Sequence, residues 1–343
     1  MSNMSKKPNI AVVGASGAVG EVMLSVLAER GHRVDNVTAL ASERSAGQDV
    51  DFGITQIEIE NLAEFDFSKV DYALFSAGGS VSKEFAPRAA AAGAIVIDNT
   101  SAFRYDDEIP LVVPEVNAHM LEGITAGAII ANPNCSTIQM VVALAPIYRA
   151  AGIARINVAT YQSVSGAGRQ GMEELAMQTA ARLSFKDPEV SKFAQPIAFN
   201  VLPQIDEMQE NGYSREEMKM VWETQKIFAD PAIRVNPTCV RVPVFYGHSE
   251  AVHIETSKPL SSLQATELLK KSAGVTVLDE RADGGYPTAV TEAAGEDTTF
   301  VGRIRDDISC ENGLNMWIVS DNVRKGAALN SVQIAEILIK QHI

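Results

Sequence analysis

The chain of 343 residues has little cysteine, no excess of positive charge and no long apolar run. Its three cysteines, Cys135, Cys239 and Cys310, are far apart and suggest neither a disulfide framework nor a Cys-x-x-Cys metal site. The formal net charge is −14 and lysine and arginine never cluster, which argues against nucleic acid or an anionic membrane as a partner. No apolar stretch approaches the roughly 20 residues of a membrane span, and no signal-peptide pattern precedes the first strand. These absences predict a soluble cytoplasmic protein without a metal.

The length is sufficient for two domains, each with its own core. Strand and helix patterns alternate over the first ~130 residues, which is typical of a doubly wound α/β domain of the Rossmann type. Later strands come in runs, which predicts an α+β domain with a mostly antiparallel or mixed sheet. A final helical pattern is expected to return to the first domain. The expected domains are residues 1–132 with 324–343 and residues 133–323, and segment 184–214 has no clear pattern.

A glycine-rich loop, Gly14-Ala-Ser-Gly-Ala-Val-Gly20, follows the first predicted strand and leads into a helical pattern. Glycines at this place permit a tight turn and let backbone N–H groups approach a pyrophosphate at the helix N-terminus. The spacing departs from Gly-x-Gly-x-x-Gly, so a glycine turn in another kind of α/β protein is the alternative. The position between a strand and a helix near the chain start favours the dinucleotide-binding interpretation.

The residues after the second predicted strand bear on the choice of cofactor. Arg44, with Ser42 and Ser45 beside it, offers a charge and two hydroxyls that suit the 2′-phosphate of NADP. Glu43 is the alternative signal, because a carboxylate here binds the ribose 2′-hydroxyl of NAD. Since the neighbours of Glu43 suit an anion, the segment favours NADP.

Cys135 lies between a short apolar strand pattern and a helical pattern, in the sequence Asn132-Pro-Asn-Cys-Ser-Thr137. At the start of a helix, unpaired backbone N–H groups and the positive end of the helix dipole stabilise a thiolate. Ser136 and Thr137 are hydroxyl residues that suit a helix start. The alternative is a small buried residue, which is the usual environment of a free cysteine.

Other chemical residues follow strand and glycine patterns further along the chain. Arg241 is expected in a strand, where it can bind a carboxylate. His248 follows a glycine turn as a candidate acid or base, and a turn histidine with satisfied hydrogen bonds is the alternative. Gln162 could bind a substrate or the acyl oxygen, and Ser165 and Gly166 could approach the nicotinamide side of a cofactor; a tight strand-to-helix turn is the alternative. Two further candidates have surface interpretations as alternatives: Arg104 as a solvent-facing charge, and Glu223 with Lys226 as a solvated ion pair on one helix face.

Together these segments resemble those of the aspartate-β-semialdehyde dehydrogenase family, from the first strand to the last helix. The matching segments are Gly14-Ala-Ser-Gly-Ala-Val-Gly20, Asn132-Pro-Asn-Cys-Ser-Thr137, Gln162-Ser-Val-Ser-Gly166, Glu223-Thr-Gln-Lys226 and Arg241-Val-Pro-Val-Phe-Tyr-Gly-His248. The order and spacing of five separate segments are far more specific than any one segment alone.

The resemblance implies an NADP-binding Rossmann domain joined to an α+β catalytic and dimerisation domain, and therefore a homodimer. It implies the NADPH-dependent reductive dephosphorylation of L-aspartyl 4-phosphate to L-aspartate 4-semialdehyde, on the route to lysine, threonine and methionine. Cys135 would become an acyl thioester, His248 would be the acid/base, and Gln162 would contact the acyl group. Further substrate contacts would be Glu223 for the amino group, Arg241 for the α-carboxylate, and Arg104 and Lys226 for the phosphate. The implied cofactor contacts are Ser16, Gly17, Ala18, Val19, Arg44, Ser45, Ser165, Gly166 and Asn322.

Three other functions compete with this interpretation. N-acetyl-γ-glutamyl-phosphate reductase has the same chemistry but needs no carboxylate such as Glu223 for a free ammonium group. Glyceraldehyde-phosphate dehydrogenase chemistry is disfavoured because the run Ser-Cys-Thr-Thr-Asn is absent. A non-catalytic NADP-binding protein with Cys135 as a sensor thiol would leave Arg241 and His248 unexplained.

Overall fold

The computed structural model describes residues 8–342 and divides the chain into two compact units. One unit contains the chain up to Pro133 together with the stretch from Ala327 onward. The other unit is Asn134–Gly326. In the described residues no helix combines the length and the apolar character needed to cross a bilayer.

The strands and helices of the described residues are numbered in chain order. The strands are β1 Ile10–Val13, β2 Val37–Ala41, β3 Asp49–Phe52, β4 Thr55–Asn61, β5 Tyr72–Phe75, β6 Ile95–Asp98, β7 Ile129–Ala131, β8 Ile153–Gln162, β9 Arg234–Arg241, β10 His248–Thr256, β11 Val275–Val277, β12 Thr299–Asp306 and β13 Gly313–Ser320. The α-helices are α1 Ala18–Glu29, α2 Gly79–Ala91, α3 Pro114–Asn117, α4 Cys135–Ala151, α5 Arg169–Leu183, α6 Arg215–Ile227, α7 Ser262–Lys270 and α8 Leu329–His342.

The first unit is built on a sheet of order β3-β4-β2-β1-β5-β6-β7. All neighbouring strands are parallel except β3, which pairs antiparallel with β4. Its central strands are apolar and buried on both faces, because helices cover both sides of such a sheet. Leu24 of α1 and Val332 of α8 belong to the core on one face, and Phe85 of α2 belongs to the core on the other. The expected doubly wound Rossmann-type arrangement is therefore confirmed.

The second unit is built on a sheet of order β11-β12-β13-β10-β8-β9. Three strand pairs are antiparallel and two are parallel, which confirms the expected mixed sheet in an α+β unit. Met140 of α4, Met220 of α6 and Leu269 of α7 belong to one core with inward-facing strand residues such as Val252. The opposite face carries Tyr161 and Trp317, whose ring centroids lie 5.6 Å apart.

The antiparallel pair of β3 and β4 is absent from the sequence-based interpretation. These strands bury only alternate residues, such as Val50 and Phe52, and most of the residues between them are charged or polar. Segment 184–214 is mostly irregular, but its backbone is fixed by side chains of α5. Gln178 Oε1 accepts hydrogen bonds from the N–H groups of Ile197 and Ala198 at 2.8 and 3.2 Å. Polar anchoring of this kind leaves no periodic pattern in the sequence.

Candidate active site

Cys135 is the first residue of α4 and is partly exposed, so the alternative of a fully buried thiol is wrong. The N-cap of this helix is Asn134, whose side-chain oxygen accepts hydrogen bonds from the N–H groups of Ser136 and Thr137 at 3.0 and 3.3 Å. The cap is therefore an asparagine side chain and not the hydroxyls expected from the sequence. The thiol lies at the positive end of a 17-residue helix, where a thiolate is stabilised.

His248 begins β10 and is fully buried. The preceding residue, Gly247, has a φ of +84°, and a Cβ atom there would lie 2.7 Å from the carbonyl oxygen of Ala289. Only glycine fits this turn without strain. Burial and, to a smaller extent, the nearby charge of Arg241 lower the pKa of His248 to about 3, so the resting imidazole is neutral.

Ser163 contacts Nδ1 of the His248 ring through its backbone N–H and through its hydroxyl. Its backbone N–H donates to Nδ1 at 3.0 Å, which favours the tautomer with the proton on Nε2. Its hydroxyl oxygen also lies 3.0 Å from Nδ1 and can accept from that atom when the proton moves there. The same hydroxyl donates to Oδ1 of Asn322 at 3.0 Å. With Nδ1 held by Ser163, Nε2 is the ring nitrogen that can exchange a proton with the reacting centre.

The buried neutral ring of His248 predicts a specific acid sensitivity. The unfolded histidine takes up a proton below its ordinary pKa of 6.5, whereas the folded ring stays neutral down to about 3. Acid therefore favours the unfolded state over this window. From pH 6.5 to 4.5 we expect the wild type to lose about 2–3 kcal/mol of unfolding free energy relative to His248→Asn. Urea unfolding of both proteins across this window measures the difference, and parallel pH profiles would contradict the prediction.

Arg241, at the end of β9, is buried beside the turn that follows β8. Its Nη1 donates to the carbonyl oxygen of Ser163 at 2.7 Å. A Cβ atom on Gly166 would lie 2.9 Å from Nη1 of Arg241 and 3.4 Å from the His248 ring. Gly166 therefore leaves room for both side chains. The structure thus brings Arg241, His248 and the turn with Gly166 together, as the sequence-based hypothesis requires.

Glu216 of α6 is a buried carboxylate that the sequence-based analysis missed. It accepts hydrogen bonds from Asn134 Nδ2 at 2.9 Å, Gln162 Nε2 at 3.2 Å and Lys219 Nζ at 3.0 Å. Burial alone would raise the pKa of Glu216, but Lys219, Asn134 and Arg241 outweigh burial and lower it to about 2. Glu216 is therefore an ionised carboxylate in contact with Gln162 and with the cap of the Cys135 helix.

Glu223 and Lys226 are not the solvated ion pair that their spacing suggests. Glu223 is fully buried, and its Oε2 accepts a hydrogen bond from the backbone N–H of Asn134 at 2.6 Å. Lys226 is partly buried on the same helix. The spacing Glu-x-x-Lys occurs twice in α6, as Glu216 with Lys219 and as Glu223 with Lys226. This repeat was the signal that could have identified Glu216.

Asn322 is buried and links two turns of the second unit, with no exposed amide. Its Oδ1 accepts from the N–H of Gly247 at 3.0 Å, and its amide contacts Ser163 and Ser165 at 3.0 Å. These bonds fix the turn before His248 against the turn after β8. A contact of Asn322 with the cofactor stays a prediction.

The glycine loop of the first unit fits a dinucleotide. Gly14 has a φ of +93°, and a Cβ atom there would lie 2.8 Å from the backbone of Ser76. A Cβ atom on Gly20 would lie 2.1 Å from the carbonyl oxygen of Gly14, so only glycine permits this approach of helix to strand. Gly17 is the N-cap of α1 and provides no side-chain capping bond. The N–H of Gly17 already donates to the carbonyl oxygen of Gly14 at 3.0 Å, so the backbone N–H groups at the start of α1, from Ala18 and Val19 onward, are the ones suited to phosphate oxygens.

The three remaining predicted contacts, all cationic or hydroxyl side chains, also lie in the first unit. Arg44 is exposed on the helical turn Glu43–Ser45, directly after β2, and Ser45 is buried. Arg104 is buried, and its Nη2 donates to the carbonyl oxygen of Asn99 at 2.9 Å. The interpretation of Arg104 as a surface charge is therefore wrong. Within the described residues no group of three histidine, cysteine or acidic side chains could hold a metal ion.

Comparison with protein families identifies both units. A family model described as the NAD binding domain of semialdehyde dehydrogenase matches residues 9–124. A second model, described as the dimerisation domain of semialdehyde dehydrogenase, matches residues 144–325. The first match supports a nicotinamide cofactor.

Individual relatives match over nearly the whole chain. The aspartate-semialdehyde dehydrogenase of Legionella pneumophila is 59% identical and covers 99% of this chain and 98% of its own. Aspartate-semialdehyde dehydrogenase 2 of Vibrio cholerae is 58% identical and covers 99% and 100%. A crystal structure of aspartate semialdehyde dehydrogenase II from Vibrio cholerae, complexed with ASA, superposes with a TM-score of 0.95 at 56% identity, covering 99% and 100% of the two chains.

Proposed function

The chain belongs to the aspartate-semialdehyde dehydrogenase family, and we propose that it reduces L-aspartyl 4-phosphate to L-aspartate 4-semialdehyde with NADPH. Phosphate is the second product, and the reaction serves the synthesis of lysine, threonine and methionine. The observation that carries the proposal is the grouping of Cys135, at the start of α4, with His248, Arg241 and Glu216 in one unit. Arg241 and Glu216 suit the carboxylate and ammonium groups of an amino-acid substrate.

Cys135 acts as the nucleophile. Its thiolate, stabilised by the start of α4, forms a bond to the acyl carbon of the substrate, and the bond from that carbon to phosphate breaks. Gln162 and backbone N–H groups at the start of α4 are the proposed donors to the oxyanion of the tetrahedral intermediate. NADPH, when bound, supplies the hydride that reduces the resulting thioester. The carbon–sulfur bond then breaks, which releases the aldehyde and restores the thiolate of Cys135. Over the cycle one proton is taken up by the departing phosphate, and His248 is its proposed donor.

Phosphate is proposed to be held by Arg104 and by a lysine of α6. Lys226 is the lysine that the family resemblance implies. Lys219 is the second candidate, since its Nζ donates at 3.0 Å to Glu216, the carboxylate that also contacts Gln162. A cation at this point would neutralise the charge of the leaving phosphate.

Glu216, and not Glu223, is the proposed partner of the substrate ammonium group. We expect Glu216→Gln to lower kcat/KM for the semialdehyde about 100-fold, because a charge-assisted hydrogen bond is lost. Glu223→Gln is the matched control on the same helix. Its amide oxygen can still accept the bond from Asn134, so kcat/KM should change only a few-fold. Steady-state kinetics of both variants measure the difference. A larger loss in Glu223→Gln would show that Glu223 is the partner of the ammonium group.

NADP is the proposed cofactor, and Arg44 is the proposed ligand of its 2′-phosphate. Arg44 is an exposed cation on the turn that follows β2, where Rossmann domains select between the two nicotinamide cofactors. We expect Arg44→Ala to raise KM for NADP about 10- to 100-fold and to leave KM for NAD unchanged. Initial rates with each cofactor test this. Equal changes for both cofactors would show that Arg44 does not select NADP.

A homodimer formed by the second unit is also proposed. The family model that matches 144–325 describes a dimerisation domain. The sheet of this unit has helices on one face, and its other face presents Tyr161 and Trp317 beside an apolar groove that includes Pro287 and Ala289. An aromatic and apolar sheet face of this kind suits an obligate interface.

The cytoplasm is the proposed location. None of the three cysteines, all of which lie in the described part of the chain, forms a disulfide bond. A catalytic thiol and cysteines outside disulfide bonds are both suited to a reducing compartment.

The reaction is tested in reverse with purified protein, L-aspartate 4-semialdehyde and NADP, by following the absorbance of the reduced cofactor with and without phosphate. We expect reduction only when phosphate is present. N-acetyl-glutamate semialdehyde, assayed in parallel, should be inactive, since Glu216 suits a free ammonium group. Activity with the acetylated compound alone would assign the chain to the arginine-pathway reaction. Inactivity with both, in folded protein that binds NADP, would favour a non-catalytic role.

A further inference from the structure

Two fully buried polar side chains, Gln139 and Glu250, have no part in the mechanism above. Gln139 lies four residues after Cys135 on α4, which is about one helical turn. Glu250 lies two residues after His248 on β10, and therefore on the same face of the sheet. The two side chains lie between the helix that carries the nucleophile and the strand that carries the acid/base.

Gln139 forms a hydrogen bond to the backbone of the acid/base residue. Its Nε2 donates to the carbonyl oxygen of His248 at 3.3 Å. The same amide is the group that partly opposes the rise in the pKa of Glu250. Further along, α4 and β10 share apolar contacts within one core, for example through Ala143 and Ile254. Apolar contacts have no direction, whereas a hydrogen bond constrains both distance and angle.

We propose that Gln139 and Glu250 are positioning residues that keep His248 at a fixed position relative to Cys135. They contact neither substrate nor cofactor and act only through the two catalytic side chains. The inference rests on the proposed function, in which Cys135 and His248 react together.

Glu250 fills this role as an uncharged acid. Burial raises the pKa of Glu250 well above its ordinary range, and Gln139 only partly opposes this effect. Among the described residues, no well-aligned donor reaches either carboxyl oxygen of Glu250 or Oε1 of Gln139. A carboxylate would add only acceptors to this buried group. The acid has an O–H that can donate, and an amide oxygen such as Oε1 of Gln139 can accept it.

The test compares Gln139→Met, Glu250→Met and Glu250→Gln. Methionine keeps the length of the side chain and removes its hydrogen bonds. We expect both methionine variants to lower kcat roughly 10- to 100-fold with little change in KM, because a small displacement near reacting groups is costly. Glu250→Gln, which imitates the neutral acid, should keep nearly all activity. Thr299→Val, which removes a buried hydroxyl of β12, is the control and should leave kcat unchanged.

A second readout is the pH profile of Cys135 alkylation by iodoacetamide, which needs no substrate. The methionine variants should shift this profile, whereas Glu250→Gln and Thr299→Val should not. Unchanged kcat and alkylation in the methionine variants would overturn the proposal. A loss in Glu250→Gln as large as in Glu250→Met would also overturn it, because a charged carboxylate would then be required. If Glu250→Met does not fold, Gln139→Met and Glu250→Gln still test the proposal. Because alkylation is independent of turnover, its result separates this inference from the proposed function.

Discussion

Replacing Cys135 by serine is expected to lower kcat at least about 10³-fold. Serine keeps the shape of the side chain, but its hydroxyl is a far weaker nucleophile than a thiolate. It would also form an ester in place of the thioester. Phosphate-dependent reduction of NADP with L-aspartate 4-semialdehyde measures the loss, and calorimetric binding of NADP checks that the cofactor still binds.

Cys310→Ser is the matched control for this variant. Cys310 is a partly exposed thiol of the same unit, in the turn between β12 and β13, and burial with nearby acidic residues raises its pKa. Its loss should not change kcat. Near-full activity in Cys135→Ser would contradict nucleophilic catalysis by this residue.

Replacing His248 by asparagine is expected to lower kcat about 10²- to 10⁴-fold, which is the usual contribution of general acid/base catalysis. Asparagine can accept the hydrogen bond from Ser163, but it cannot exchange a proton with the reacting centre. Because the pKa of the folded ring is about 3, its own ionisation lies below the assay range, and the loss should be similar from pH 5 to 9. Steady-state kinetics over this range measure the loss and its pH dependence.

The control for His248→Asn is His119→Asn. His119 lies on an exposed helical turn of the first unit, whereas Cys135 and His248 belong to the second unit. It should keep the kcat and the pH profile of the wild type. If His248→Asn loses only a few-fold, the ring positions other groups and does not transfer the proton.

Features governed by local backbone chemistry could be predicted from the sequence. Strand β1 ends directly before the glycine loop and β2 ends directly before Ser42, where the sequence places them, because short apolar runs between turn residues have few alternatives. The start of α4 was correctly predicted near Cys135, since Asn132-Pro-Asn ends a strand and an apolar helical pattern follows. The glycine loop could also be predicted, because neighbouring backbone atoms lie too close to Gly14 and Gly20 for any side chain at these positions.

Features governed by tertiary contacts could not be predicted in this way. Glu216 and Glu223 lie on one face of α6, seven residues apart, and both precede a lysine by three. Helical periodicity does not distinguish them. The difference arises because Glu216 contacts Gln162 from β8, whereas Glu223 binds the backbone of Asn134. Those strands and turns are distant in sequence, so only the fold reveals the contacts.

The same reason applies to Asn322. The family resemblance implies a cofactor contact for this residue. In the structure, its side-chain amide forms hydrogen bonds with Ser163 and Ser165, which lie more than 150 residues earlier in the sequence. A buried asparagine that fixes two turns has no local signature. The cofactor role stays a prediction, and the positioning of the turn before His248 is an observed feature.

The central claim is that Cys135 carries the acyl group, and a burst experiment without phosphate tests it most directly. Enzyme, excess NADP and L-aspartate 4-semialdehyde are mixed rapidly, and the protein is then digested and mapped by mass spectrometry. We predict a burst of one reduced cofactor per active site, because the acyl-enzyme cannot be released without phosphate. The acyl group should be found on Cys135 and on neither Cys239 nor Cys310. Continuous turnover without phosphate, no burst, or an acyl group on another residue would contradict the mechanism.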